Sequence, residues 1–198
     1  MTGRRLFHWL LAAVLSVGIL GIGAGFIWYQ MFYMPYCIQA DCRGKEIDVE
    51  MMKRWEEREK DGSKGIIRMA GWRIENWRVV SAVSTGRSQR TQIFCVYGSM
   101  ELVDKASVLS GRYGLAVEED YCILSESLAR NLFGSVDVAG QFVKMGRTAM
   151  VVAGVIEKDG DILMMPATNG RMEQVAAEFK GRMGAKEKME GLIEGDRQ

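Results

Sequence analysis

Apolar residues are concentrated at the front of the chain. Residues 6–27 are almost entirely apolar, and no charged residue occurs between Arg5 and Asp41. A helix needs ~20 such residues to cross the hydrocarbon core of a bilayer. The pattern therefore predicts a transmembrane anchor over residues 6–34, preceded by a short N-terminal segment at residues 1–5.

A cleaved signal peptide is the alternative interpretation of this run, since it also combines a basic start with an apolar core. That core is usually only ~7–15 residues long, whereas here the run continues through Trp28 and Tyr29 to Tyr33. We therefore expect an uncleaved anchor with its aromatic residues at the outer membrane interface. Arg4 and Arg5 should hold the N-terminus in the cytoplasm. The bulk of a single-pass cell-membrane protein would then be extracytoplasmic.

The two regions that flank the central part of the chain are rich in charge. Residues 35–65 should form a linker and an amphipathic helix, with Met51, Met52 and Trp55 at helical spacing. Residues 167–198 should form a charged C-terminal helix and tail, because their apolar residues follow one helical stripe. That stripe consists of Met172, Val175, Ala176, Phe179 and Met183.

Between these regions, two segments rich in β-formers predict a hairpin. Residues 66–83 and 91–97 are the strands, and a polar turn joins them. Trp72 and Trp77 lie in the first strand. They could form an exposed surface for a partner, but tryptophans in a small domain are more often part of the core. We expect core positions.

A strand, a helix and a stop signal follow one another after residue 120. Residues 121–124 are an apolar run typical of a strand, and Ser125 lies where a helix N-cap is expected. Leu128 and Leu132 mark the apolar face of a short helix. Gly134 should end it, because glycine readily takes the positive φ of a C-cap.

The chain then returns to strands. Residues 141–145 and 148–156 flank Gly146 and Arg147, a pair suited to a type II′ turn, so a tight hairpin is expected. Its second strand is apolar on both faces, with Met150, Val152, Gly154 and Ile156 on one face. It should therefore lie inside the domain.

Several of these features, in this order, resemble the periplasmic core domain of MacB-type ABC transporter permeases of the FtsX/MacB family. They are a Gly-Arg pair, an acidic residue, a strand, a helix ending in Leu-Phe-Gly, a turn glycine and a glycine in the last strand. The residues are Gly111, Arg112, Asp120, Leu128, Ala129, Leu132, Phe133, Gly134, Gly140 and Gly154. The resemblance covers residues 66–166, and it implies a mixed α+β extracytoplasmic domain of short strands, hairpins and small helices behind one transmembrane helix.

The resemblance implies a function as well. The chain would be the membrane-anchored extracytoplasmic component of a permease, which transmits motion from a separate cytoplasmic ATP-binding subunit to an outer domain that engages substrate or partner. A further permease subunit would be required. Such permeases have more membrane helices, and this sequence contains no second apolar run, so it is a shortened relative or the front of a longer product. The alternative function is a single-pass anchored binding or scaffold module with the same fold and no transport.

Composition and motifs exclude several other classes. Hydrophobic residues make up 48% of the 198 residues and charged residues 26%, as in a globular domain, and the net charge of +1 argues against nucleic acid. His8 is the only histidine, and the sequence contains no GxSxG turn, no Walker GK[ST] motif and no CxxC spacing. We therefore expect no enzyme, no cofactor and no metal site.

Two sets of residues remain open to more than one interpretation. Cys37 could pair with Cys42 and Cys95 with Cys122 in an oxidising compartment, or all four could be free thiols. Gly21 and Gly25 fit a small-xxx-small face that packs on another membrane helix, although glycine is also simply common in such helices. Membrane lipid is the other expected neighbour of the anchor.

Overall fold

The computed structural model describes residues 2–59, 65–114 and 120–194, with side chains from residue 15 onward. Within these ranges the helices are α1 (Thr2–Phe32), α2 (Val49–Glu59), α3 (Met100–Val103), α4 (Glu126–Phe133) and α5 (Ala185–Glu194). The strands are β1 (Tyr36–Asp41), β2 (Ile66–Ala82), β3 (Ser88–Gly98), β4 (Val108–Gly111), β5 (Tyr121–Ser125), β6 (Phe142–Met145), β7 (Thr148–Ile156), β8 (Ile162–Pro166) and β9 (Gln174–Phe179). The fold class is therefore mixed α+β, as predicted.

All nine strands belong to one sheet, in the order β1-β9-β2-β3-β8-β5-β7-β4. β6 pairs with both β2 and β7, and this closes β2, β3, β8, β5, β7 and β6 into a ring. The pairs β3/β8 and β5/β7 are parallel, and the other pairs are antiparallel. A closed ring of this kind is a small barrel, whose interior only side chains can fill.

The barrel is closed at one end by α4. Leu128 and Leu132 of this helix are fully buried, and the helix contacts β2, β3, β5, β7 and β8. Buried side chains on the inner face of the strands, such as Ile93 and Val152, join the same apolar cluster. The cluster continues beneath α2 and α5, while a smaller cluster around Trp72 fills the opposite face of the sheet.

Helix α1 stands apart from this core. Leu15–Phe32 is long and apolar enough to cross a membrane by length and composition, and its side chains are exposed. The side chains of Arg4 and Arg5 lie outside the described part of the chain, so the predicted orientation stays a prediction.

Local signals in residues 121–156 are confirmed. Leu128 donates its backbone N–H to Ser125 Oγ at 3.3 Å, which is the expected N-cap bond. Gly134 ends α4 with a φ of 79°. Gly146 has a φ of 60°, and no described non-glycine residue has a positive φ, as a type II′ turn through Gly146 and Arg147 requires.

The predicted C-terminal helix and tail over residues 167–198 is wrong in its first half. Residues 174–179 form β9, which lies between β1 and β2 and pairs with both. Val175, Ala176 and Phe179 are buried because both faces of this strand are covered. Tertiary pairing outweighs the helical spacing of the apolar residues, and α5 begins only after Gly184. Residues 36–41, predicted as linker, are likewise a strand of the sheet.

Two β-bulges change which face a side chain occupies. In β2 the register with β3 shifts between Glu75 and Arg78, and in β7 the register with β5 shifts at Ala153. One extra residue reverses the alternation that follows it. Val155 therefore packs in the larger cluster, and Ile156 packs in the smaller one, against the predicted alternation.

Neither predicted disulfide is formed, and all four cysteines are free thiols. Cys37 and Cys42 are separated by the extended backbone of β1, so their Cα atoms lie well beyond the ~7 Å limit for a disulfide. Cys95 lies on β3 and Cys122 on β5, and β8 runs between these strands. Two strand spacings amount to about 10 Å, which also prevents a bond.

Candidate functional site

The C-terminal end of α1 is fastened to the sheet domain by the loop between β9 and α5. Arg182 donates its backbone N–H to the Met31 carbonyl at 2.9 Å, and Met183 donates to the same oxygen at 3.4 Å. Carbonyls in the last turn of a helix have no partner within the helix. The loop therefore caps α1, and we call this contact, formed by residues 31–36 and 180–184, the helix joint.

The close approach at the helix joint depends on Gly181. A Cβ atom at this position would lie 2.8 Å from the carbonyl oxygens of Met31 and Phe32. Real Cβ atoms do not approach backbone oxygens so closely, so any larger residue would push the loop away from the helix. The absence of a side chain is what allows the two backbones to meet.

Positive charge reinforces the cap. Helix α1 has no basic residue in its last turn, but the Arg182 guanidinium lies 5.3 Å from the centroid of the Tyr36 ring, directly after the helix. A cation near the C-terminal end of a helix interacts favourably with the helix dipole, and the aromatic face attracts it as well. Arg182 thus contributes both its backbone and its side chain to the helix joint.

The helix joint also ties α1 to three strands. Phe179 at the end of β9 pairs with Tyr36 of β1 and with Ile66 of β2. Lys180 donates its backbone N–H to the Gly65 carbonyl at 2.9 Å. Only residues 33–35 separate α1 from β1. The connection is therefore too short for the end of α1 to move far without moving the sheet.

Two cavities border the helix joint. One, of about 290 Å³, is lined by Phe32, Gly65, Lys180, Met183 and Lys188, among others. The other, of about 460 Å³, lies between the last turns of α1 and the guanidinium of Arg182. Met31 lines both, so they are neighbours.

A second cleft lies at the barrel end that α4 leaves open, and we call it the barrel mouth. It has a volume of about 800 Å³. The parallel strands β3 and β8 begin beside α4, and their later residues line the cleft. The residues that line it include Arg73, Glu75, Trp77, Arg78, Cys95, Met145, Arg147 and Met165.

Glu75 is the centre of a charged network in the barrel mouth. Its Oε1 accepts hydrogen bonds from Arg73 Nη2 at 3.2 Å and from Cys95 Sγ at 3.3 Å. Arg78 lies 3.6 Å from its Oε2, and Arg73 also donates to the Asn169 carbonyl at 2.6 Å. The network holds three of the lining side chains in place, whereas Arg147 forms no ion pair with a described residue.

The network changes the pKa of both acids. Burial alone would raise the pKa of Glu75, but the hydrogen bonds from Cys95 and Arg73 and the charges of Arg73 and Arg78 outweigh it, so the pKa lies below its usual value. Burial, followed by the hydrogen bond to the Glu75 carboxylate, raises the pKa of the Cys95 thiol to about 12. Glu75 is therefore ionised and Cys95 is a neutral thiol at ordinary pH.

The two tryptophans of β2 have different environments. Trp72 is 4% exposed and belongs to the smaller core cluster, as predicted, while Trp77 is 50% exposed, against the prediction. The β2 bulge explains the difference, because its extra residue places Arg78 rather than Trp77 on the same side of the strand as Glu75. Trp77 lies on the rim of the barrel mouth as a result.

The residues that carry the family resemblance shape the fold rather than a reaction site. A Cβ atom on Gly154 would lie 2.5 Å from the Arg112 carbonyl, and one on Gly111 would collide with the Ala153 carbonyl. Arg112 donates its backbone N–H to that same carbonyl at 3.0 Å. These glycines let β4 approach β7 closely.

The other residues of that set also have structural positions. Asp120 accepts a backbone bond from Val151 at 2.9 Å, and Gly140 donates one to Val152 at 2.8 Å. Leu128, Ala129 and Leu132 are buried in α4, Phe133 is partly buried, and Gly134 ends the helix. Gly21 and Gly25 are exposed on α1 with open space around them, and their packing role stays a prediction.

Sequence reasoning missed both the helix joint and the charged network. Gly181, Arg182 and Gly184 were placed inside a predicted helix, although two glycines so close together are themselves a signal for a loop. The network depends on a bulge in β2, and no local pattern marks its position.

Comparison with known proteins agrees with this architecture. The family model for the MacB-like periplasmic core domain matches residues 44–187, a longer stretch than the predicted 66–166. No curated protein has a significant sequence match to the chain.

Solved structures share the fold at low sequence identity. The periplasmic region of MacB from Actinobacillus actinomycetemcomitans superimposes with a TM-score of 0.61 at 12% identity, over 75% of this chain and 72% of that chain. The extracellular domain of the noncanonic ABC-type transporter YknZ from Gram-positive bacteria gives a TM-score of 0.56 at 16% identity, over 79% of this chain and 86% of that one. Because the family model spans well over half of the sequence, the chain belongs to the family of MacB-like periplasmic core domains, which are extracytoplasmic parts of ABC-type transporter permeases.

Proposed function

We propose that this chain passes motion from a cytoplasmic ATPase, through α1, to an outer domain that engages a substrate or partner. The observation that carries the proposal is the helix joint, where Arg182 and Met183 cap the Met31 carbonyl and Gly181 lies against the same turn. In this arrangement α1 is cytoplasmic at its N-terminus and the domain is extracytoplasmic.

The mechanical argument rests on the stiffness of the connection. A flexible linker would absorb a displacement of the helix, since its ends move independently. Here residues 33–35 are the whole connection, and the helix end is bonded to a loop that continues directly from β9. Movement of α1 would therefore carry the sheet with it as one body.

The proposal requires two partners. A cytoplasmic ATP-binding subunit would supply the motion, and a further permease subunit would pack against α1. Gly21 and Gly25 lie four residues apart on an exposed helix face with nothing within 4 Å, and such a face allows close helix packing in membranes.

The first experiment purifies the tagged full chain from its native membranes in mild detergent, identifies the proteins that copurify and assays ATP hydrolysis. A copurifying ATP-binding subunit with vanadate-sensitive activity is expected. Hydrogen exchange of β1 and β9 should then change when ATP and vanadate are added.

A matched pair of variants tests the helix joint in the same preparation. Gly181→Val should keep the ATP-binding subunit but lose the exchange response of β1 and β9, while Gly191→Ala, which has open space around it in α5, should keep both. A chain that purifies without any ATPase would contradict the proposal and favour an anchored binding module with the same fold.

A further inference from the structure

We infer that the helix joint is a binding site for one anionic phospholipid, whose headgroup is held by Lys180, Arg182 and Lys188 and whose acyl chain lies along α1. The inference rests on the proposed function in one respect, namely that α1 crosses a membrane and ends at its outer surface. It adds a ligand that would set the position of the helix joint in the bilayer.

The first argument is unbalanced charge. Several arginines elsewhere in the domain face a carboxylate, as Arg68 does with Glu178 and Arg130 with Glu126. Lys180, Arg182 and Lys188 form no ion pair with any residue that the structure describes, and the Arg182 guanidinium lies over the Tyr36 ring. Three cations thus surround one loop without a protein counter-charge, and they attract an anion.

The second argument is the shape of the cavities. The larger one has a wall of apolar side chains, Ile27 and Met31 of α1 and Met34 just after it, and Arg182 at its domain end. The smaller one shares Met31 and presents Lys180 and Lys188. A phospholipid fits this separation of apolar and basic residues. The guanidinium of Arg182 can hold the phosphate with two hydrogen bonds, and the acyl chain needs an apolar surface.

The third argument is depth in the membrane, which selects lipid over a soluble anion. Trp28, Tyr29 and Tyr33 are exposed around the last turns of α1, where aromatic residues mark the headgroup layer. Met183, on the same loop as the cations, is 62% exposed. The helix joint therefore lies where lipid phosphates are the most concentrated anions and where an exposed methionine can enter the bilayer.

The test measures lipid binding to the purified full chain in mild detergent by native mass spectrometry. Dioleoyl-phosphatidylglycerol and dioleoyl-phosphatidylcholine have the same acyl chains, so their difference reports the headgroup. We expect phosphatidylglycerol to bind with a stoichiometry of one and phosphatidylcholine to bind at least about tenfold more weakly, since each cation near an anionic lipid contributes measurably.

Matched variants locate the site. Lys180→Gln, Arg182→Gln and Lys188→Gln together should weaken phosphatidylglycerol binding at least about tenfold. Arg90→Gln, Lys105→Gln and Lys144→Gln together remove the same charge from exposed positions away from the helix joint and should leave binding unchanged. Lys180→Arg with Lys188→Arg keeps the charge and should keep the lipid, which separates charge from folding.

Three results would overturn the inference. They are equal binding of the two lipids, an unchanged affinity in the site variant, and an equal loss in the control variant. Displacement of the lipid by millimolar inorganic phosphate would assign the cations to a soluble anion instead. Lipid binding is measured by the lipid masses on the chain itself and does not depend on an ATPase. Selective lipid binding without a copurifying ATPase would therefore contradict only the proposed function, and a copurifying ATPase without selective lipid binding would contradict only the lipid site.

Discussion

The helix joint lies beside the start of β2 and the barrel mouth beside its middle, but the two regions are held together differently. At the helix joint, backbone meets backbone, with Arg182 bonded to Met31 and Gly181 providing the space. At the barrel mouth, side chains of opposite charge surround Glu75 in an open cleft. Backbone contacts fix one geometry, whereas the Arg78 side chain, which is 59% exposed, can leave its pair with Glu75 at little cost. The first arrangement suits transmission of movement and the second suits binding.

The same strand connects the two regions. Ile66, at the start of β2, pairs with Phe179 beside the helix joint, and Arg73, Glu75 and Arg78 lie further along the strand. The barrel mouth is thus linked to the membrane helix by continuous β-structure. Four predictions test the difference between these regions.

The largest effect is expected at the helix joint. Gly181→Val would force the loop away from two carbonyl oxygens and should lower the free energy of unfolding by about 1–3 kcal/mol. Gly191→Ala, in a helix with open space, should change it by less than about 1 kcal/mol and in the stabilising direction. Thermal unfolding of both variants in detergent measures the difference, and equal stabilities would show that the close contact at Gly181 is unimportant.

A smaller loss is expected at the barrel mouth. Glu75→Gln removes the charge that faces Arg73 and Arg78 and should cost about 1–2 kcal/mol, because the Arg73 side chain, only 21% exposed, loses its charged partner. The matched change Glu50→Gln breaks an exposed pair with Lys53 and should cost less than about 0.5 kcal/mol. If the two substitutions cost the same in chemical denaturation, the network contributes no more than a surface pair.

Acid should reveal the same network in the unmodified chain. The pKa of Glu75 is lower in the folded state than its ordinary value of 4.5. Its contribution to stability is therefore complete above that value and is lost as the pH falls through the lower, folded-state pKa. The stability difference between the unmodified chain and Glu75→Gln should shrink as the pH falls below 4.5 through the folded-state pKa. A difference that stays constant over this range would contradict the assigned ionisation.

The smallest effect on stability is expected at Trp77. The side chain is half exposed on the rim of the barrel mouth, so Trp77→Ala should change the free energy of unfolding by no more than about 0.5 kcal/mol. Trp72→Ala, which empties a buried position, serves as the positive control. A comparable loss at both positions would show that Trp77 packs in the core after all.

The parts of the fold that the sequence predicts are those with local signals. The cap at Ser125, the stop at Gly134 and the turn at Gly146 each depend on residues only a few positions apart, and all three are confirmed. The family resemblance rests on this same region. Local sequence was enough to predict these features, because each cap or turn type requires a particular residue at a fixed position.

The parts that it does not predict depend on distant partners. β9 is a strand because β1 and β2 lie on both sides of it, although its apolar residues have helical spacing. The bulge that places Arg78, and not Trp77, on the same side of β2 as Glu75 has no sequence marker. Both candidate sites depend on such long-range contacts, so the fold could be anticipated but the sites could not.

The pairing of β1 with β9 has a consequence for how the protein is made. Tyr36 follows the membrane helix, but its partner Phe179 and the capping residue Arg182 are synthesised almost at the end of the described chain. Pairings between such distant segments form slowly. In the proposed topology, the end of α1 therefore stays uncapped until residues 180–184 have been exported, and that loop then completes the attachment.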